Sequence, residues 1–338
     1  MPRCIPPVNK DPGKVADSTR KRVIFDTDIG IDDAMALLFL HYSPDVELLA
    51  ITSVVGNASI DATTRNALYM KERFGISASV HRGAARPSGP ALGEGYPDFV
   101  HGRNGLGDIE LTAPTLHEDA LPAAEAIVAL ARAHPGELSI VAVGRLTNIA
   151  AALTLCPALP ELIREVVVMG GVFGFAGQRG NVSPVAEANI AGDPAAADAV
   201  FTSDMPVTVV GLDVTEKTRM DEAFIDALRQ RAGEAGDFIH RISRFYFDFY
   251  QRTGGSRDCP IHDSSAVACL LRPSLYCMQS LTVRVAIGGV AIGQTIGGEP
   301  GVDYVADAWR KTGPIRVCSG VDADAVRALY IETLANAG

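Results

Sequence analysis

Four carboxylates fall within eight residues of the segment VIFDTDIGIDDAMALLFL: Asp26, Asp28, Asp32 and Asp33. Charges of one sign packed this closely repel unless a cation sits among them. Their ligand atoms are hard oxygens with no histidine or cysteine nearby, which points to Ca²⁺ or Mg²⁺ rather than zinc. The plainer reading makes Asp32 and Asp33 helix caps, placed in a first turn where the amide dipoles favour negative charge. Caps account for one or two acids, not for four. Gly30, in the middle of the block, supplies a backbone able to turn sharply.

Further chemistry-bearing residues follow short apolar runs. TSVVGN leaves Asn57 at a strand end, where a Gly-Asn pair alone would be a turn. VGRLTNIA forms an elbow over Gly144 to Thr147, with Asn148 opening a helix; Thr147 offers a cation a carbonyl or hydroxyl, or simply caps. VVVMGGVF is followed by NVSPVAEANIAGDP, whose Asn181, Glu187 and Asn189 are groups that grip hydroxyls. Asp193-Pro194 reads as N-cap and first residue of the next helix. In CPIHDSSAVACLL, His262 titrates near neutral pH and can act as an acid, while Asp263 is either a helix N-cap or a site residue. HGRNGLGD sets His101 between glycine-rich turns, as in a mobile active-site loop.

These positions need elements to hold them. Nearly continuous apolar runs (VIFD, LLAITSVV, LSIVAV, EVVVMGG, MPVTVVGLDV) alternate with Ala-rich helical stretches. Such runs are expected of parallel strands covered by helices on both faces, giving an α/β layered fold with an open, mostly parallel sheet. Near the end, a glycine-rich stretch from Ile287 to Gly298 precedes a strand-like PIRVCS, then a helix capped by Asp322 or Asp324. In an open α/β sheet, ligands collect outside the carboxyl ends of the strands, where the polar residues above lie.

The bulk composition narrows the classes. The chain has 338 residues, 47 % apolar and 21 % charged, with a formal net charge of -10, which fits a well-buried globular protein. No basic cluster suggests nucleic acid, and no apolar run approaches the roughly 18 residues that span a bilayer. The six cysteines lack a Cys-x-x-Cys pair and read as reduced thiols of a cytoplasmic protein. Residues 1–20, rich in proline and polar groups, read as a loose tail before a single catalytic domain over 21–338.

In their order and separation, DTDIGIDDAMAL, VVGN, GRLTN, VVVMGG, NVSPVAEANI and IHD resemble the inosine–uridine-preferring nucleoside hydrolase family. The likeness runs from about Val23 to at least Asp263. It implies a Rossmann-like core and hydrolysis of the N-glycosidic bond of ribonucleosides. It also implies one Ca²⁺ held by Asp28, Asp33, the Thr147 carbonyl and Asp263, with Asp28 as general base. Asp32, Asn57 and Asn189 would hold the ribose 2′- and 3′-hydroxyls, and Asn181 with Glu187 the 5′-hydroxyl. Met169 would pack near the sugar, His262 would lie on the leaving-group side, and His101 would close over the base. A homodimer or homotetramer is implied. The sequence departs from the pattern at Ile29, where proline is frequent, and at Ala188, where phenylalanine is common. Having one tryptophan, Trp309, outside the motifs argues against the purine-specific branch. The aromatic helix RFYFDFYQR either lines the base pocket, through Phe247, Tyr250 or Gln251, or packs on the core.

Two rival readings remain. A phosphatase of the haloacid-dehalogenase type also opens on Asp-x-Asp, with the first aspartate as nucleophile, but the adjacent Asp32-Asp33 and the late His262-Asp263 fit it poorly. A non-catalytic nucleoside-binding protein would need neither a base nor an acid.

Overall fold

Apolar burial explains the order of the layers. The computed structural model describes residues 20–92, 95–309 and 313–338, so the tail expected over 1–20 lies, up to residue 19, outside the described residues. The strands are β1 (Lys21–Thr27), β2 (Val46–Ser53), β3 (Ser79–Arg82), β4 (Leu138–Ala142), β5 (Ile163–Met169) and β6 (Val207–Val210). They continue with β7 (Arg219–Asp221), β8 (Asp258–Pro260), β9 (Tyr276–Val285), β10 (Thr295–Gly298) and β11 (Pro314–Val321). Among the described residues nine of them form one sheet, in the order β10-β9-β11-β6-β5-β4-β1-β2-β3, and β7 with β8 forms a separate pair.

From β11 to β3 the neighbours run parallel, as the continuous apolar runs predict; β9 pairs antiparallel with both β10 and β11. The glycine-rich stretch therefore belongs to an antiparallel edge that hydropathy did not reveal.

Side chains alternate across the sheet. Val23 and Phe25 face one apolar cluster and Ile24 the other. The first cluster is built by α1 (Ile31–Tyr42), α2 (Ile60–Phe74) and the helices of the C-terminal half; a short α3 (Asp98–His101) follows α2 in the chain. The second is covered by α4 (Ala123–Ala133), α5 (Thr147–Leu155), α6 (Leu159–Leu162) and, past α7 (Ala188–Gly192), α8 (Pro194–Phe201). The chain continues through the one-turn α9 (Leu212–Thr215), α10 (Glu222–Arg231), α11 (Gly233–Gly254), α12 (His262–Leu271) and α13 (Ala323–Leu334).

Two helices carry charged or titratable residues into the core. In α1, ten residues from Ile31 to Leu40 are buried, including Met35, Leu37, Leu38 and Phe39 at 0 % exposure. At roughly 2 kcal/mol for each large apolar side chain, that burial opposes the cost of carrying Asp32 and Asp33 into the interior. Every residue of α12 is buried, which fixes His262 and Asp263 on its first turn. Its N-cap is Ile261, so Asp263 is not the cap that the sequence allowed. Asp193 and Asp322 are caps as expected, each accepting from the backbone N–H three residues on.

Cys156, Cys259, Cys269 and Cys318 are free and buried. Cys277 is disulfide-bonded, which corrects the expectation of thiols throughout. No helix among the described residues is long and apolar enough to cross a membrane.

Candidate active site

The run β3-β2-β1-β4-β5-β6 reverses direction between β1 and β4, and outside the carboxyl ends of such neighbours a doubly wound sheet leaves a crevice. A cavity of about 490 Å³ opens there. Its wall includes Asp32, Asn57, Met169, Asn181, Glu187, Asn189, His101, Tyr250, His262 and Asp263. Asp28, Asp33 and Thr147 do not line it. Asp28 and Asp33 lie directly behind Asn57, whose backbone N–H donates to Asp28 Oδ2 at 2.7 Å and whose side-chain amide donates to Asp33 Oδ2 at 2.9 Å.

Asp33 is the best satisfied of the acids. It accepts from the Thr27 hydroxyl (2.5 Å), the Asp28 N–H (3.2 Å) and the Gly30 N–H (2.9 Å), the last closing a capping box on α1. The plain capping reading thus holds for Asp33 and fails for its neighbours. Among the described residues Asp28 Oδ1 and Asp32 Oδ1 are buried with no hydrogen-bond partner, and the buried Asp263 is close enough to repel both. Carboxylate oxygens of Asp32, Asp33 and Asp263 lie within 4.8 Å of one another. Asp32, which the resemblance gives to the sugar, is therefore part of the same cluster.

Burial first, and mutual repulsion second, push these carboxyls up: Asp32 to about 8, and Asp28 and Asp263 well above their ordinary range. Carboxylate oxygens of Asp32, Asp33 and Asp263 around one point, joined by no histidine or cysteine among the described residues, fit a divalent cation of the Ca²⁺ or Mg²⁺ type. The Thr147 hydroxyl donates to Asp193 Oδ2 at 2.7 Å, so any part that Thr147 plays in the site falls to its carbonyl.

Close backbone approach shapes the pocket of Asp28. A Cβ on Gly56 would stand 1.9 Å from Asp28 Oδ2, and one on Gly144 would stand 2.7 Å from Oδ1. Neither position admits a side chain while Asp28 stays where it is.

Asp26 goes elsewhere. Its Oδ2 accepts from the Thr52 hydroxyl (2.6 Å) and the Asn148 amide (2.8 Å), and Asn148 also donates to Ser53 O. Asp26 ties β1 to β2 and α5 and does not line the cavity, as the nucleophile of a phosphatase would have to. Burial raises its pKa from 3.8 to about 7. Between those values the folded chain holds a proton that the unfolded chain has lost, so stability falls as pH rises through that window. Asp26→Asn should remove this dependence. Urea unfolding at pH 4 and pH 8 should find the variant gaining on the wild type by up to about 4 kcal/mol at the higher pH. A gap that does not change with pH would mean that Asp26 is ionised in the fold.

At the end of the cavity near α7, Glu187 caps that helix by accepting from the N–H groups of Asn189 (2.8 Å) and Ile190 (3.1 Å), and also from Gly171 (2.8 Å). Asn181 Oδ1 accepts from Ala188 N–H at 3.0 Å, and the Asn189 amide donates to the Val143 and Met169 carbonyls, leaving its oxygen uncommitted. The polar groups expected to serve hydroxyls therefore also knit the ends of β4 and β5 to α7.

The opposite end is aromatic. His101 ends α3, is 6 % exposed, and its Nδ1 accepts from Ile31 N–H at 3.2 Å. Because a backbone N–H can only donate, the neutral ring carries its proton on Nε2. Burial, reinforced by His262, lowers the pKa of His101 to about 3. His262 Nδ1 meets the Thr215 hydroxyl at 2.8 Å and its Nε2 meets Tyr250 Oη at 3.2 Å. Burial lowers its pKa too, opposed by the nearby Glu216. Tyr246 donates to Asp32 Oδ2 at 3.3 Å. Of the three residues weighed on the aromatic helix, Tyr250 lines the cavity, whereas Phe247 is buried in the core and Gln251 accepts from Arg257.

Comparison with known proteins agrees with this geometry. The family described as inosine-uridine preferring nucleoside hydrolase matches residues 23–328. Uridine nucleosidase 1 of Arabidopsis thaliana is 36 % identical over 319 residues, covering 90 % of each chain. Among solved structures, a plant nucleoside hydrolase is 33 % identical with a TM-score of 0.88, over 94 % of this chain and 99 % of the other. A purine-preferring ribonucleoside hydrolase from Gardnerella vaginalis is 32 % identical with a TM-score of 0.85, over 93 % and 98 %.

Proposed function

The chain belongs to the inosine-uridine preferring nucleoside hydrolase family and is a hydrolase of N-glycosyl bonds, and from that premise we propose that it cleaves ribonucleosides by a Ca²⁺-activated water, in nucleoside salvage. The observation that carries this reading is the group of carboxylates converging at the cavity, with oxygens on Asp28 and Asp32 that no described residue satisfies. Asp28, Asp33, Asp263 and the Thr147 carbonyl would hold the ion, with Asp32 in the same cluster. When bound, Ca²⁺ supplies a positive charge that lowers the pKa of a water beside it.

The chain's own residues do the rest. Asp28 takes the water's proton as its oxygen bonds to C1′. The C1′–N bond breaks, and its electron pair leaves with the base. Asp32, Asn57 and Asn189 hold the 2′- and 3′-hydroxyls, Asn181 and Glu187 hold the 5′-hydroxyl, and Met169 packs beside the sugar. The cationic C1′ is stabilised by the carboxylates around it. His262 delivers a proton toward the departing base through Tyr250 Oη, and His101 bounds the cavity beside the base.

The test is ribose release from inosine, uridine, cytidine and adenosine, before and after chelation. Ribose from at least one substrate should be lost on stripping and restored by Ca²⁺. Unchanged release from protein verified to be metal-free would sink the Ca²⁺ reading. Tight nucleoside binding without any ribose would make the chain a binding protein.

A further inference from the structure

His262 occupies the first turn of a helix that is buried throughout, so its Cα cannot shift to seek a partner. Its ring can still rotate. A half-turn about the Cβ–Cγ bond would exchange the nitrogens for carbons and break both of its hydrogen bonds. One of those bonds goes to Tyr250, a partly buried side chain on α11 that lines the cavity. The other goes to Thr215, which is 0 % exposed, does not line the cavity, and makes no other side-chain hydrogen bond among the described residues.

Thr215 is itself held firmly. Its N–H donates to Gly211 O at 3.1 Å, and Leu212 N–H donates to Gly171 O at 2.9 Å. Two residues before it, the Asp213 carboxylate accepts from the N–H groups of Phe173 (2.8 Å) and Phe175 (2.7 Å). The turn of α9 is thereby clamped to the segment that follows β5. A fixed hydroxyl thus meets one nitrogen of a ring on a fixed helix, and the other nitrogen is left facing the cavity side.

We propose that Thr215 is a positioning residue: its hydroxyl, 2.8 Å from His262 Nδ1, locks the ring so that Nε2 meets Tyr250 Oη beside the departing base. The proposal rests on the reading of His262 as the leaving-group acid. Thr215 never touches substrate. Its contribution appears only when the leaving group needs a proton.

The experiment compares Thr215→Val, Thr215→Ser and His262→Ala on uridine, inosine and p-nitrophenyl riboside, whose nitrophenolate leaves as a stable anion. Valine keeps the volume and removes the hydroxyl. T215V should lower kcat on the nucleosides by about tenfold to a hundredfold, as loss of an orienting partner does elsewhere. Its KM should stay near the wild-type value and its p-nitrophenyl riboside turnover within about twofold of wild type, the second result also establishing that it folds. T215S should restore the nucleosides. If valine does not fold, Thr215→Ala carries the same comparison. Wild-type nucleoside turnover in T215V, equal losses on both kinds of substrate while H262A stays selective, or failure of serine to rescue would each overturn the proposal. Equal losses in H262A would overturn the acid reading beneath it instead.

Discussion

Asp28→Asn should lower kcat by at least about a thousandfold on uridine, inosine and p-nitrophenyl riboside alike, because all three share water attack at C1′. The asparagine keeps the shape that Gly56 and Gly144 enclose, so the loss reports chemistry rather than a collapsed loop. It keeps an oxygen to accept the Asn57 N–H, and it loses both the charge and the basic oxygen, Oδ1, that has no partner among the described residues. Steady-state rates on the three substrates decide the matter. Turnover within about tenfold of wild type on any of them would remove Asp28 as the base.

The second large effect is selective. His262→Ala should lower kcat on inosine and uridine by about 10²- to 10⁴-fold, the range that a positioned proton donor supplies. The change on p-nitrophenyl riboside should be only a few-fold. The argument is geometric: Nε2 reaches Tyr250 Oη, both residues line the cavity, and the far nitrogen is committed to Thr215. Parallel losses on all substrates would make His262 a residue that places the substrate and gives it no proton.

How much of this was legible beforehand differed from residue to residue. The block from Asp26 to Asp33 announced itself, since like charges at that density need a cation and a strand-to-helix elbow brings them together. Even so, spacing did not tell Asp26 from the others; its partners Thr52 and Asn148 come from β2 and α5, and only the sheet brings them within reach. The glycines on either side of His101 gave no sign of its hydrogen bond to the start of α1, 70 residues earlier. Thr215 gave no signal: its partner is 47 residues away, and nothing in LDVT marks the hydroxyl. Tyr246 pairs with Asp32 across 214 residues. On the aromatic helix the composition pointed to a pocket but not to its phase. Tyr246, Phe249, Tyr250 and Thr253 share the cavity face at helical spacing, which leaves Phe247 to the core and Gln251 to solvent. The parallel order of the sheet followed from the continuous apolar runs, while the antiparallel edge did not, because β9 interleaves polar with apolar residues and β10 is half glycine.

The cavity is uneven in a way that bears on its history. Its floor and the end with His262 belong to α1 and α12, both embedded in the core, where almost any exchange disturbs packing as well as charge. The mouth is built differently: Phe99 is 62 % exposed, Val182 is 45 % exposed, and Thr253 sits at the open end of α11. Exposed side chains are replaced at little cost to stability. The molecule therefore separates a part that cannot drift from one that can. Under the proposed function, single changes at the rim would alter which base is accepted at little cost to stability, whereas changes on α1 or α12 would cost packing and charge together.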